Sequence, residues 1–195
     1  MGGAVGLKGS DGLVAHAREL GAQEVAAQRA VRALEALREI AKGIEILTAG
    51  NSMGETALQT SRLDHEVVFR PTNQETSAED TQRAAATMVE RGIDLLLFAG
   101  GDGTARDVLQ AVGDRIPVLG IPAGVKMHSA VFAITARHAG DVARRFLSGD
   151  SSIVVESAEV MDRENVGSGP ASPRLYGFVR TPRAPLLVQH AKMAM

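Results

Sequence analysis

Residues 93–99 (IDLLLFA) are apolar almost throughout, show no period-two alternation, and run directly into Gly100-Gly101-Asp102-Gly103-Thr104. A strand that does not alternate is one buried on both faces, which is how a parallel sheet covered by helices on each side reads. Residues 116–121 (IPVLGI) repeat the pattern one helix later. Between and around these runs, helical and strand signals take turns. Val25, Val31, Leu34, Leu37 and Ile40 recur at one-face spacing and predict a helix over 21–42, stopped by Gly43. A short strand is expected over 44–49. Ser52 and Glu55 have capping-box spacing for a short helix, and 66–69 (EVVF) reads as a strand. Ser77 and Asp80 cap an alanine-rich helix that Gly92 ends, and Thr104 and Asp107 are expected to cap the next. Two helices, over 128–136 and 138–147, precede a strand-like SIVVESAEVM with one wetter face.

Repeated βα units of this kind predict an α/β fold, a Rossmann-like parallel sheet with helices on both faces. Residues 1–150 form the expected parallel α/β domain, and 151–195 the beginning of a β-rich second domain. The chain reads as though it starts one strand late, because a Gly-rich stretch and a helix come first. It reads as stopping at the threshold of the second domain, with 165–174 a turn-rich linker and LYGFVR and LLVQ short strands lacking a partner.

Composition removes several function classes. With no cysteine, disulfides, thiolate metal sites and cysteine nucleophiles are excluded. Lys and Arg number 21 against 23 Asp and Glu, so no basic excess points to nucleic acid or anionic lipid. One Tyr, five Phe and no Trp make base-stacking platforms improbable. No apolar run has the length of a membrane span, and the N-terminus lacks the pattern of a signal peptide. A cytoplasmic protein that binds small molecules, not nucleic acid or membrane, is the expectation.

The glycine turn is where chemistry is expected, because open parallel sheets bind ligands at the carboxyl ends of their strands. Glycines let backbone N–H groups approach an anion, and the following helix N-terminus adds open donors and a favourable dipole. Asp102 is out of place beside phosphate unless it works there, by accepting a hydroxyl proton or by lying near a phosphate-bound Mg²⁺. The plainer alternative is a tight strand-to-helix turn with Thr104 as its cap. Gly50-Asn51-Ser52-Met53-Gly54 matches the G-x-S-x-G elbow of an α/β-hydrolase, with Asp114 and His138 in the required order. Only one strand precedes Ser52, and no oxyanion segment is evident, so a hydrolase is the remote alternative. The five histidines contain no i, i+4 pair, which argues against zinc.

LLLFAGGDGTARDV resembles the GGDGT signature of the NAD kinase, diacylglycerol kinase and 6-phosphofructokinase superfamily. VLGIPAGVKMHSAVFA (118–133), LTAGNSMGE (47–55) and the opening GGAVGLKGSDG are similar to the ATP-NAD kinase-like branch. The resemblance implies that Gly100, Gly101, Gly103 and Thr104 contact nucleotide phosphates, and that Gly50, Asn51, Gly120 and Gly124 line the same cleft. Lys126 would neutralise phosphate charge, although a solvated loop lysine is equally natural there. Asp102 would orient or activate the 2′-hydroxyl of NAD. The implied activity is phosphoryl transfer from ATP or polyphosphate to NAD, giving NADP, with Mg²⁺ or another divalent cation. A lipid or small-alcohol kinase would use the same turn. Members usually open with a strand leading into an Asn-Pro, Gly-rich loop and carry a β-rich C-terminal domain. Here Met1-Gly2-Gly3 looks like that loop's tail, so a catalytically incomplete nucleotide-binding fragment, prone to homo-oligomerise through exposed edges, is the alternative.

Overall fold

The computed structural model describes Glu19 and residues 25–73, 75–125, 127–164 and 172–184. Along the chain lie α1 (Ala26–Leu34), β1 (Leu47–Ala49), α2 (Glu55–Ser61), β2 (Glu66–Phe69), α3 (Ala78–Glu90) and β3 (Leu96–Gly100). These are followed by α4 (Asp102–Val112), β4 (Val118–Pro122), α5 (Ala136–Leu147), β5 (Val154–Glu164) and β6 (Ser172–Arg183). The chain is α/β, as its apolar runs require. β1 pairs with β2 and β3 with β4, both in parallel, Leu96 opposite Val118 and Gly100 opposite Pro122. The Arg91 guanidinium, just before β3, meets Glu66 at the start of β2, and Glu66 lies opposite Leu47 at the start of β1. All these strands therefore begin at one end of the layer and finish at the other.

Helices cover both faces. One core joins Leu34 and Leu37, from α1 and the turn after it, with Leu119 and Ile121 of β4 and Val142 of α5. A second joins Val108 and Val112 of α4 with Val118, Phe132, Ala158, Val160 and Val179. Phe132 is fully enclosed and meets Phe98 edge-on, with ring centroids 5.5 Å apart. Phe132→Ala is expected to lower stability by about 3–5 kcal/mol in chemical denaturation, the usual cost of emptying a buried aromatic site; a loss well below that range would mean the site collapses. No helix among the described residues is long and apolar enough to cross a membrane.

Several expectations are corrected. The helix predicted over 21–42 is α-helical only to Leu34 and continues as 3₁₀ turns, Glu35–Glu39 and Ala41–Gly43. There Leu37 stays buried while the Arg38 guanidinium donates to the Ser61 carbonyl, so a tertiary contact tightens the helix end. Ser52 does not cap α2; Gly54 precedes it without a side-chain cap, and Glu55 reaches back to the Asn51 N–H. Residues 128–135 are not helical but a turn and an isolated bridge, Phe132 beside Gly120. Ala130 N–H donates to Glu159, Gly120 N–H to Val131 and Ala133 N–H to Gly120, a long-range lacing that overrides local propensity. LYGFVR lies in β6, which runs antiparallel to β5 from Ser172 to Arg183, so this segment has a partner after all; LLVQ lies outside the described residues. Residues Leu97, Phe98 and Ala99 are only half-buried, because a cleft separates β3 from β1.

Ser77 and Asp80 do form the predicted capping box, and Gly92 (φ 74°) turns the chain out of α3. Exposed ion pairs give the fold an acid-sensitive surface. A hydrogen bond from Arg70 holds the Glu55 carboxyl below the ordinary 4.5, and Arg91 does the same to Glu66. Ser152 and Arg145 depress Asp150 well below the usual aspartate range. Folded carboxyls with lowered pKa bind fewer protons than unfolded ones, so their stabilisation is complete above the unfolded values and is lost as pH falls from there through the folded ones. The melting temperature is expected to hold near neutrality and decline from about pH 5 to 3, with a shallower decline in Arg70→Gln. A flat profile over that window would contradict it.

Candidate functional site

β3 ends in Gly100, and α4 begins two residues later with Asp102 in its first turn and Gly101 as N-cap. Thr104 is therefore not the cap. Its side chain folds back over Gly100, where any β-carbon would overlap it. No side chain caps Gly101, and the first intrahelical amide is that of Ala105, bonded to the Gly101 carbonyl. The amides of the preceding turn are thus left for a ligand, with the helix dipole behind them.

The second glycine turn closes against the first. The Ala123 N–H donates to the Gly100 carbonyl at 2.9 Å. A β-carbon built on Gly124 would lie 3.1 Å from the Gly101 Cα and 3.3 Å from Met127 Cγ. Two backbones meet here with no side chain between them, which is the close approach that glycine permits. Gly103 faces the Asp162 carboxylate of β5.

Asp102 is held from the far side of the turn. Its Oδ2 accepts the His128 N–H at 2.8 Å, and its Oδ1 accepts the Ser129 N–H at 3.0 Å. The Ser129 hydroxyl lies 2.7 Å from Oδ1 and 2.8 Å from the Met161 carbonyl, and its oxygen accepts the Met161 N–H. Oδ1 is saturated, whereas Oδ2 keeps a free lone pair for a hydroxyl.

The remaining predicted residues divide. Gly120 lies inside β4 with both backbone groups engaged, by Val131 and Ala133, and a β-carbon there would enter the Phe132 ring. It is a packing glycine and has no amide to offer phosphate. Gly50 and Asn51 lie at the carboxyl end of β1, but their amides are committed to the Phe69 carbonyl and the Glu55 carboxylate. No hydrogen bond between them and Gly100–Thr104 occurs among the described residues, although Ser52–Gly54 and Thr104 border one cleft. Lys126 lies outside the described residues. The hydrolase set does not assemble: Asp114 follows α4 at the starting end of β4, and Ser52 follows the finishing end of β1.

Residues outside the predicted site surround Asp102. Ser129 joins it to β5, and the buried His128 Nε2 has no partner among the described residues. Arg106 donates to Asp162 at 2.9 Å and lies 5.5 Å from the Tyr176 ring centroid. Burial works against the Arg106 charge, but Asp162, Tyr176 and Asp107 outweigh it and raise its pKa above the ordinary guanidinium value. A Ser three residues before a buried Phe offered no pattern that would have marked it in the sequence.

No curated protein and no solved structure matches the chain. The ATP-NAD kinase N-terminal domain family matches residues 12–151, which include both glycine turns, Asp102 and its clamp, and the chain belongs to that family.

Proposed function

We propose that the protein is an NAD kinase-like phosphotransferase that moves a phosphoryl group from ATP or polyphosphate to the 2′-hydroxyl of NAD. Membership of the family makes it a kinase-type domain; the acceptor, the donor and Mg²⁺ belong to the proposal. One observation carries it: a fixed carboxylate in the first turn of an uncapped helix, directly beside two glycine turns in backbone contact. Phosphoryl transfer asks a protein mainly for positioning and charge neutralisation. The open amides at Gly101–Thr104 would receive phosphate oxygens. Asp102 Oδ2 would accept the acceptor's hydroxyl proton as its oxygen bonds to phosphorus and the bond to the leaving phosphate breaks.

Among the described residues no three His, Cys, Asp or Glu side chains gather to hold a metal ion. Mg²⁺ would therefore arrive on the phosphate oxygens and keep most of its waters, because the one open lone pair of Asp102 is assigned to the acceptor hydroxyl. The ion would neutralise phosphate charge when bound. Small nucleotides are the proposed partners, in the cytoplasm, with self-association of the chain.

The test is NADP formation from NAD with Mg-ATP, and separately with polyphosphate, against Asp102→Asn. A lipid or glycerol acceptor used in preference to NAD would replace the acceptor assignment, and no transfer to any acceptor would overturn the reading. Binding has its own check. Gly124→Ala would push the two turns apart and is expected to weaken ATP about tenfold in calorimetric titration, with little change in melting temperature. Unchanged affinity would detach the second turn from the site.

A further inference from the structure

α1 carries a long cation to the end of the strands where the glycine turns lie. Ala33 packs α1 against Gly140 of α5, and Arg29 stands one turn earlier on the same side of the helix. From there the Arg29 Nη1 donates to the Pro122 carbonyl at 2.8 Å. Pro122 is the last residue of β4, opposite Gly100, and the next amide, that of Ala123, is the one that ties the second glycine turn to the first. The guanidinium is thus fastened at the base of that turn, and a fork of five N–H donors keeps others for a second acceptor. Arg29 is exposed, and among the described residues no carboxylate pairs with it.

Other arginines are placed differently. Arg70, Arg91 and Arg145 each meet a carboxylate. Arg38 and Arg115 hold carbonyls, but at the starting end of the strands: Ser61 closes α2 ahead of β2, and Val112 closes α4 ahead of β4. Arg29 holds a carbonyl at the finishing end, beside the turns. A carbonyl fixes the direction of a guanidinium without cancelling its charge, which leaves the cation for an anion that arrives later.

We propose that Arg29 binds the phosphate chain of the donor where it crosses the second glycine turn, and so selects a triphosphate or polyphosphate over a monophosphate. This rests on the phosphotransferase reading. Phosphate on the open amides of Gly101–Thr104 shares its turn with the Asp102 carboxylate, so a donor with several charges requires a cation close by. Arg106 is already engaged, with Asp162 at 2.9 Å and Asp107 at 3.6 Å. A single phosphate on the amides leaves Arg29 unused, whereas a longer chain spans both turns and meets its planar fork.

Calorimetric titration of the full chain with Mg-ATP and with AMP reads this without turnover. The unmodified protein is expected to bind ATP more tightly than AMP. Arg29→Gln keeps a donor for Pro122 and loses the charge; it should weaken ATP at least about tenfold and AMP less than about threefold. Arg29→Lys keeps the charge and should recover most of the ATP affinity. A residue that merely fastens α1 to β4 gives another pattern: equal losses for both ligands, tracking the melting temperature, with Lys no better than Gln. That pattern would overturn the proposal. Unchanged ATP affinity in Arg29→Gln would overturn it too and leave the phosphotransferase reading intact, whereas absence of ATP binding by the unmodified protein would overturn both. If Arg29→Gln fails to fold, the Arg29 side-chain ¹⁵Nε resonance of the unmodified protein decides: a shift with ATP and not with AMP is expected, and no shift with ATP contradicts the assignment.

Discussion

Asp102→Asn is expected to cut phosphoryl transfer by about 100-fold or more, the usual contribution of a positioned proton acceptor. The same change should also lower stability. Asp102 accepts from two amides and a hydroxyl, and an asparagine can present only one acceptor oxygen to them. Its NH₂ group would face either the His128 or the Ser129 amide, and a buried donor left unmatched costs about 1–3 kcal/mol. A melting curve must therefore accompany the rate. Ser129→Ala is the informative partner, because it removes one donor and leaves the carboxylate. Transfer by Ser129→Ala that stays well above Asp102→Asn, at similar stability, supports a chemical role for Asp102. Equal loss in both would reduce Asp102 to a structural clamp.

The second large effect concerns Gly140, in the middle of α5. From the sequence, glycine inside a helix looks like a defect, and alanine should stabilise by about 1 kcal/mol. In the structure α5 crosses α1 at this point, and a β-carbon on Gly140 would overlap the Ala33 carbonyl. Ala33, Ala139 and Ala143 around it are wholly buried, so neither helix has a gap to retreat into. Gly140→Ala is expected to destabilise by about 3 kcal/mol, at the upper end of overpacking costs because backbone cannot rotate aside. That is a large share of the roughly 5–15 kcal/mol that holds a domain of this kind together. Urea denaturation reads it directly, and a stabilised variant would show that the two helices separate freely.

Gly140 also illustrates what the sequence conceals. The run through 93–99 declared its strand, and Gly100–Thr104 declared the turn, because both signals are local. Ser77 with Asp80 did the same for the start of α3. Contacts between distant residues were illegible. Phe132 bridges Gly120, so a stretch with helical composition is not helical. Ser129 reaches both Asp102 and Met161, neither within 26 residues of it. Gly120 and Gly124 look alike in GIPAG, yet one packs under a phenyl ring and the other meets Gly101. The spacing of Thr104 predicts a cap, whereas the helix starts at Asp102 and leaves its first amides open.

Those open amides are the proposed phosphate site. The most direct measurement is ¹⁵N amide NMR of the full chain during titration with Mg-ATP, without any acceptor. Saturable shifts are expected, concentrated at Gly101, Asp102, Gly103 and Thr104, with a second group at Ala123 and Gly124. Saturable shifts centred elsewhere, or none at ATP concentrations that saturate related nucleotide sites, would contradict it.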